Sequence, residues 1–204
     1  MKLKYIPLIV CVCFIQVYAH AQAKVLGECT IQFKIQQQKN NDWADIGTKK
    51  VWIKGNQCKT MLTTPLLIQT LIFNIQEDKA LVTKELGNNK YLQEINFPPA
   101  SLPSLISMKE LSIDTSIVIL GYRCKTVKLE WSDGVVYEVL YTPTVIPSVT
   151  TFEFAFKEVP GLVLGYRIIN KDNPVVQYLA IELDFSPITL NQFLINRMDF
   201  QILE

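Results

Sequence analysis

An Asp-Gly pair, Asp133-Gly134, separates two runs in which apolar and polar residues alternate, Cys124 to Ser132 and Val135 to Tyr141. Alternating runs joined by Asp-Gly are the strongest short-range signal for a β-hairpin, because both central turn residues are expected at positive φ, which Asp and Gly tolerate. The pattern sets Val127, Leu129 and Trp131 on one face and Cys124, Thr126, Lys128 and Glu130 on the other. A Pro-Gly turn at Pro160-Gly161 then launches a third run at Leu162. Three neighbouring strands between Ile119 and Tyr166 point to a mainly β chain built on an antiparallel sheet.

The earlier sequence has the same period. Val25, Gly27, Cys29, Ile31, Phe33 and Ile35 alternate with Leu26, Glu28, Thr30, Gln32 and Lys34, as in a strand with one dry and one wet face. Gln36 to Asn41 reads as a polar connector, and Val51 and Ile53 alternate with Lys50, Trp52 and Lys54 up to a Gly55-Asn56 turn. Leu66 to Phe73 is almost wholly apolar, and its β-branched content after Pro65 favours a strand covered on both faces. Ala80 to Leu86 and Tyr91 to Ile95 flank another turn, and Val175 to Phe185 forms a late strand. The tail from Phe193 to Leu203 is expected along a sheet edge. Ala100 to Leu111 carries the best helical spacing, with Leu105, Met108 and Leu111 on one side, and Pro103 limits any helix there to about two turns. An irregular crossover is the competing expectation for that segment.

Lys2 and Lys4, the apolar run Ile6 to Val17 and Ala19-His20-Ala21 have the order of a secretory signal peptide. The expected division is a signal peptide over 1–21 and a single antiparallel β domain over 22–204, with Lys24 the alternative first residue. The apolar run is roughly 12 residues against the roughly 20 of a spanning helix, so no membrane-spanning segment is expected in the mature chain. The chain is therefore expected to be exported, to the periplasm or beyond the cell.

Cleavage removes the one histidine, His20. Without imidazole, Ser-His-Asp and Cys-His nucleophiles are excluded, and no metal or other cofactor is expected. Losing Lys2 and Lys4 leaves the 20 basic and 19 acidic residues close to balance, which gives no electrostatic case for nucleic acid. No carboxylate pair stands out, so no catalytic residue is assigned and the chain reads as a non-enzyme. Cys29, Cys58 and Cys124 remain. If Gly55-Asn56 turns the chain as expected, Cys29 and Cys58 both stand opposite Ile53, on strands that flank it. Two such strands are roughly twice 4.8 Å apart, beyond disulfide reach. Cys124, between Arg123 and Lys125, is the candidate for a reactive thiol, although strand neighbours point to the opposite face.

Gly121-Tyr122-Arg123-Cys124-Lys125, the hairpin closing at Tyr141-Thr142-Pro143, and Val159-Pro160-Gly161-Leu162-Val163-Leu164 resemble the GLPGLI family of exported bacterial proteins. That family is similar in outline to the lipoprotein carriers LolA and LolB. The resemblance implies a strongly curved antiparallel half-barrel with one short helical segment over its concave face. Its structural motif maps to Gly121, Tyr122, Cys124, Asp133, Gly134, Pro160 and Gly161, with Gly161 expected to supply an unusual backbone angle. Such a fold implies an envelope protein holding an apolar ligand, a lipid or acylated protein, against the sheet. The ligand is expected under a lid of Leu105, Ile106 and Met108, in a groove of Ile72, Phe73 and Leu129. The alternative is a structural or interaction domain that meets another envelope protein without a small-molecule ligand.

Overall fold

The computed structural model describes residues 23–40, 42–111, 117–171 and 173–203. The expected signal peptide lies outside the described residues. The strands are β1 (Lys24–Leu26), β2 (Glu28–Lys39), β3 (Asp42–Lys54), β4 (Gln57–Thr63), β5 (Ile68–Asn74), β6 (Lys79–Leu86), β7 (Asn89–Asn96) and β8 (Leu105–Leu111). They continue with β9 (Ile117–Ile119), β10 (Tyr122–Trp131), β11 (Val136–Thr142), β12 (Val145–Pro147), β13 (Leu162–Asn170), β14 (Asn173–Asp184) and β15 (Gln201–Leu203).

Among the described residues, 13 strands form one sheet, ordered β15-β7-β6-β5-β4-β3-β2-β14-β13-β11-β10-β8, with β9 beside β8 on the same edge of β10. The pairings are antiparallel except that β15 lies parallel to β7 at one edge. The sheet is large, curved and open, as the half-barrel reading requires. Its core lies on the concave face. Cys29, Ile31, Phe33 and Ile35 of β2 are buried while Glu28, Thr30, Gln32 and Lys34 are half-exposed, so period two alone placed this strand. Ala80, Phe73, Cys58, Ile53 and Cys29 stand in one register row across five strands. Cys29 and Cys58 thus flank Ile53, and all three cysteines of the described residues are free.

The convex face is covered locally. Ile72, Lys59, Trp52 and Thr30 share a row one pleat from the cysteine row. Ile188 and Phe193 from the tail pack on Trp52 and Ile72 in a second, smaller cluster. Phe73 faces the concave core, so β5 is buried on both faces as its unbroken apolar composition implied.

Several expectations are corrected. Gln36 to Asn41 is not a connector: β2 and β3 run on together through Gln37↔Ala44, Gln38↔Trp43 and Lys39↔Asp42. That extension projects beyond the core, where backbone pairing holds it and no side-chain alternation reveals it. The run beginning at Val25 divides at Gly27; β1 leaves to pair in parallel with β12, and Val25 is 69% exposed. The largest correction is Ala100 to Leu111. Leu105–Leu111 is the strand β8, not a helix. The Ser104 N–H donates to Ser132 Oγ and the Ser132 N–H to the Ser104 carbonyl, each at 2.9 Å, which lays the chain extended along the open edge of β10. Edge hydrogen bonds outweigh a weak helical spacing that Pro103 already restricts.

The Asp133-Gly134 hairpin is present, with a different turn. The Gly134 N–H donates to the Trp131 carbonyl at 2.9 Å and the Trp131 N–H to the Val135 carbonyl at 3.0 Å. Gly134 has φ +81°, and Asp133 is not at positive φ. This is the three-residue loop closed by a glycine bulge, with the Asp133 carboxylate accepting from the Val135 N–H. Gly121 shows φ +84° in the turn that joins β9 to β10 before Tyr122. Gly161 is required for another reason than the one expected. A Cβ there would stand 2.2 Å from the Thr142 carbonyl oxygen, so only glycine lets the start of β13 come this close to β11.

Candidate functional site

The concave face is closed in its middle by Thr150–Phe156, two consecutive 3-10 turns between β12 and β13. Phe152 and Phe156 are buried. Phe156 lies edge-on to Tyr166 at 4.8 Å and to Tyr137 at 5.8 Å, and Tyr166 stacks on Tyr178 at 4.3 Å. This segment is the helical plug, in place of the expected Ala100 to Leu111. Its signal was three phenylalanines in five residues, Phe152 to Phe156. Their period of two resembles a strand, which hid their role.

Glu153, between the two turns, pairs with Lys49 of β3. Lys49 shares the face of Val51 and Ile53 and is 8% exposed; its Nζ also donates to Tyr166 Oη at 3.3 Å and lies over the Tyr166 and Tyr178 rings. Burial, then the Glu153 charge, pushes the phenols of Tyr137 and Tyr178 up to about 12. The same causes raise Tyr166 further. These tyrosines remain neutral across physiological pH and act as packing and hydrogen-bonding groups. Burial pushes the Cys29 thiol up to about 12 and raises Cys58 and Cys124 as well. Cys124 therefore lacks the lowered pKa of a reactive thiol: its flanking cations point away, and its Sγ–H faces the Tyr122 carbonyl at 3.5 Å.

Beside the plug, between it and β8 and β10, lies an apolar cleft. One lobe, of about 480 Å³, is lined by Pro103, Leu105, Met108, Trp131, Phe154 and Lys157 among others. A second, of about 240 Å³, shares Pro103, Trp131 and Phe154 and reaches Leu102, Tyr137 and Glu153. Both fall in or near the range of small-ligand sites, with few polar groups among apolar walls. Register explains the lining: Met108 stands opposite Leu129, and Leu105 opposite Trp131 across a bulge.

The six residues expected to bind ligand are divided by this geometry. Leu105 and Met108 line the cleft. Ile106 is the extra residue of the bulge between Leu105 and Ser107, is 67% exposed, and is not part of the cleft lining. Leu129 and Phe73 are on the concave side but closed in the core, Phe73 against Phe97 at 4.3 Å. Ile72 is on the convex face beneath the tail. Trp131 and Phe154, which the sequence did not single out for binding, complete the cleft. A further furrow of about 310 Å³ crosses the other face of β10, β11, β13 and β14, where Thr126, Leu140, Gly165 and Leu179 share a row and Gly165 leaves room. The charged and amide row Glu138, Arg167 and Gln177 runs along it, and its lining is as apolar as that of the cleft. Among the described residues no helix is long and apolar enough to cross a membrane.

The fold and cleft define a class: a curved, open antiparallel sheet whose concave side is closed by a short helical plug and hollowed at one end. No family model matches the chain, and no curated protein matches it in sequence. Solved structures do match. PNGF-II superposes with a TM-score of 0.50 at 14% identity over 87% of this chain, which spans only 31% of that one. An uncharacterised conserved protein from Thermus thermophilus gives 0.49 at 10% identity, covering 85% of this chain and 89% of that one. A LolA superfamily protein from Nitrosomonas europaea gives 0.36 at 14% identity, covering 82% and 90%. At these identities the likeness is one of fold.

Proposed function

We propose that this chain is an exported, non-enzymatic protein of the bacterial cell envelope that binds an apolar ligand, a lipid or the acyl part of a lipoprotein, in the concave cleft. The observation that carries the reading is the cleft itself: Leu105, Met108, Trp131 and Phe154 line an open hollow of about 480 Å³ beside the plug. Met108 remains 47% exposed there, as a flexible side chain at an entrance should. A long-chain fluorescent acyl probe should brighten on mixing with the protein and lose most of that signal with Met108→Asp or Leu105→Asp. The variants' melting temperatures must stay near the parent's for the comparison to count. Undiminished signal in folded variants rejects the cleft.

One observation favours a second reading. Among the described residues β8 has a neighbour, β10, on one side only, so its outer edge presents unpaired backbone groups beside exposed Ile106. A partner strand that added to β8 would make this an interaction domain of the envelope. Absence of probe binding by the parent shifts the conclusion to that reading. Export is tested separately, by sequencing the N-terminus of protein recovered from its host: it should begin at Gln22 or Lys24.

A further inference from the structure

Along an antiparallel strand, backbone N–H and C=O groups point alternately to one neighbour and to the other. The Ser132 N–H turns towards β8, to the Ser104 carbonyl, and the Trp131 N–H towards β11, to the Val135 carbonyl. By that alternation Glu130 and Lys128 bond towards β8, and their partners Ser107 and Lys109 bond inwards. Met108 and Glu110 are left with N–H and C=O directed outwards from the open edge. A second antiparallel strand must therefore be registered on those two residues.

Two copies related by a twofold axis through the sheet have three ways to do this. Setting Met108 against the partner's Glu110 brings Lys109 face to face with the partner's Lys109. Setting Glu110 against the partner's Glu110 opposes two carboxylates. Like charges directly opposite are destabilising. Setting Met108 against the partner's Met108 opposes no like charges and places Lys109 against the partner's Ser107. In each chain the Ser107 hydroxyl donates to Glu130 Oε2 at 3.1 Å, so this register carries each Lys109 towards a carboxylate of the other copy. Within its own chain Lys109 stands opposite Lys128, and Glu130 is already paired with Lys128 at 2.7 Å.

We propose that two copies of this chain join edge to edge through β8, antiparallel, with Met108 on the twofold axis. The inference rests on the open-edge reading above and names its partner. The pairing brings Ile106 and Met108, 67% and 47% exposed in the single chain, into the contact. It also sets the two Met108 side chains together on the concave face, so each copy adds a methionine to the rim of the other's hollow. Lys109 is the kind of edge charge that sheets use against indiscriminate strand addition, and here it selects one register. The contact is isologous and closes at two copies.

The test is sedimentation of the protein from about 10 μM to about 1 mM, the range of a small, transient interface, with hydrogen exchange read residue by residue. The parent should pass from monomer to dimer. Over the same range the amides of Met108 and Glu110 should gain protection, while those of Ser107 and Lys109 stay protected throughout. Lys109→Glu should weaken association on the order of tenfold, and adding Glu130→Lys should restore it. Under mild oxidation Met108→Cys should give a disulfide-linked dimer, because hydrogen-bonded partners stand about 5.5 Å apart at Cα, within bridging range. Lys109→Cys and Glu110→Cys, which report the two rejected registers, should not. A monomer at every concentration with fast exchange at Met108 and Glu110 overturns the second copy and leaves the edge open to another protein. Protection of those two amides in the monomer overturns the open-edge reading with it. Association unaffected by Lys109→Glu, a bridge through Lys109→Cys or Glu110→Cys, or a species larger than two copies overturns the register. Should Met108→Cys not fold, the charge reversal decides.

Discussion

Lys49 shows how one residue's role divides between sequence and fold. Extending the alternation of Val51 and Ile53 backwards places Lys49 on the dry face and Lys50 on the wet one. A lysine there needs an anion, and its partner Glu153 is 104 residues away, beyond any pattern of spacing. The pair fastens the plug to the sheet. Removing one member leaves the other's charge in a low-dielectric site, which costs about 3–5 kcal/mol when burial is complete. The Glu153 side chain is 34% exposed, so part of that penalty is relieved by water. We expect Lys49→Met to lower stability by about 2 kcal/mol and Lys49→Met with Glu153→Leu to recover most of the loss, measured by urea denaturation. Equal losses in the single and double variants would show that the pair does not act as a unit. Gly161 gives a second residue-scale lesson. Its need for glycine was legible in the motif, but the cause, a carbonyl on another strand, was not.

At the scale of elements, the hairpins were legible and the fillers were not. Strands alternate because one face is wet, and that alternation survives in sequence. The plug and β8 take their conformations from neighbours: Thr150–Phe156 from the aromatic surface beneath it, and Leu105–Leu111 from the open edge of β10. The tail is a third case. The Ile188 N–H donates to Glu28 Oε2 at 2.8 Å, while Lys54 Nζ donates to Glu28 Oε1 at 2.6 Å. These two interactions, the lysine first, hold the Glu28 carboxyl below its usual range. A depressed carboxylate contributes stability that is present above its unfolded-state value and is lost as pH falls through the folded one. The tail's first contact should therefore loosen on acidification through and below the carboxylate range. The protection factor at Ile188, its exchange rate taken relative to the intrinsic rate at each pH, should fall over that interval, and Glu28→Gln should flatten the dependence. A profile unchanged by Glu28→Gln would place the acid-sensitive contact elsewhere.

The described residues form one large sheet, with β1 and β12 paired apart from it, and the large sheet's two faces have different covers, an arrangement on which its thiols report. Cys29 and Cys58 are fully buried in one register row with Ile53 between them. Burial raises both thiols, so they are protonated as well as inaccessible. A thiol reagent at pH 8 should leave both unmodified in the native protein and modify both together at the rate of global unfolding. Mild oxidation should not join them. Rapid labelling of either, or a bridge formed without unfolding, would mean that the strand register is wrong.

By itself the sequence determined the strand-rich class, the main hairpins, the register that separates Cys29 from Cys58, and a strand covered on both faces within Leu66 to Phe73, although that strand begins at Ile68 and Leu66 is exposed in the bend before it. All of these follow from side-chain period and turn chemistry, which act between near neighbours. Tertiary structure alone decided that Phe152 to Phe156 and not Ala100 to Leu111 fills the concave face, and that Ile72 and Phe73 serve opposite sides. It also decided that Trp131 meets Phe154 and Leu105 in a cleft. Those outcomes depend on curvature, on an available sheet edge and on contacts between residues remote in the chain, and local propensity carries no record of them.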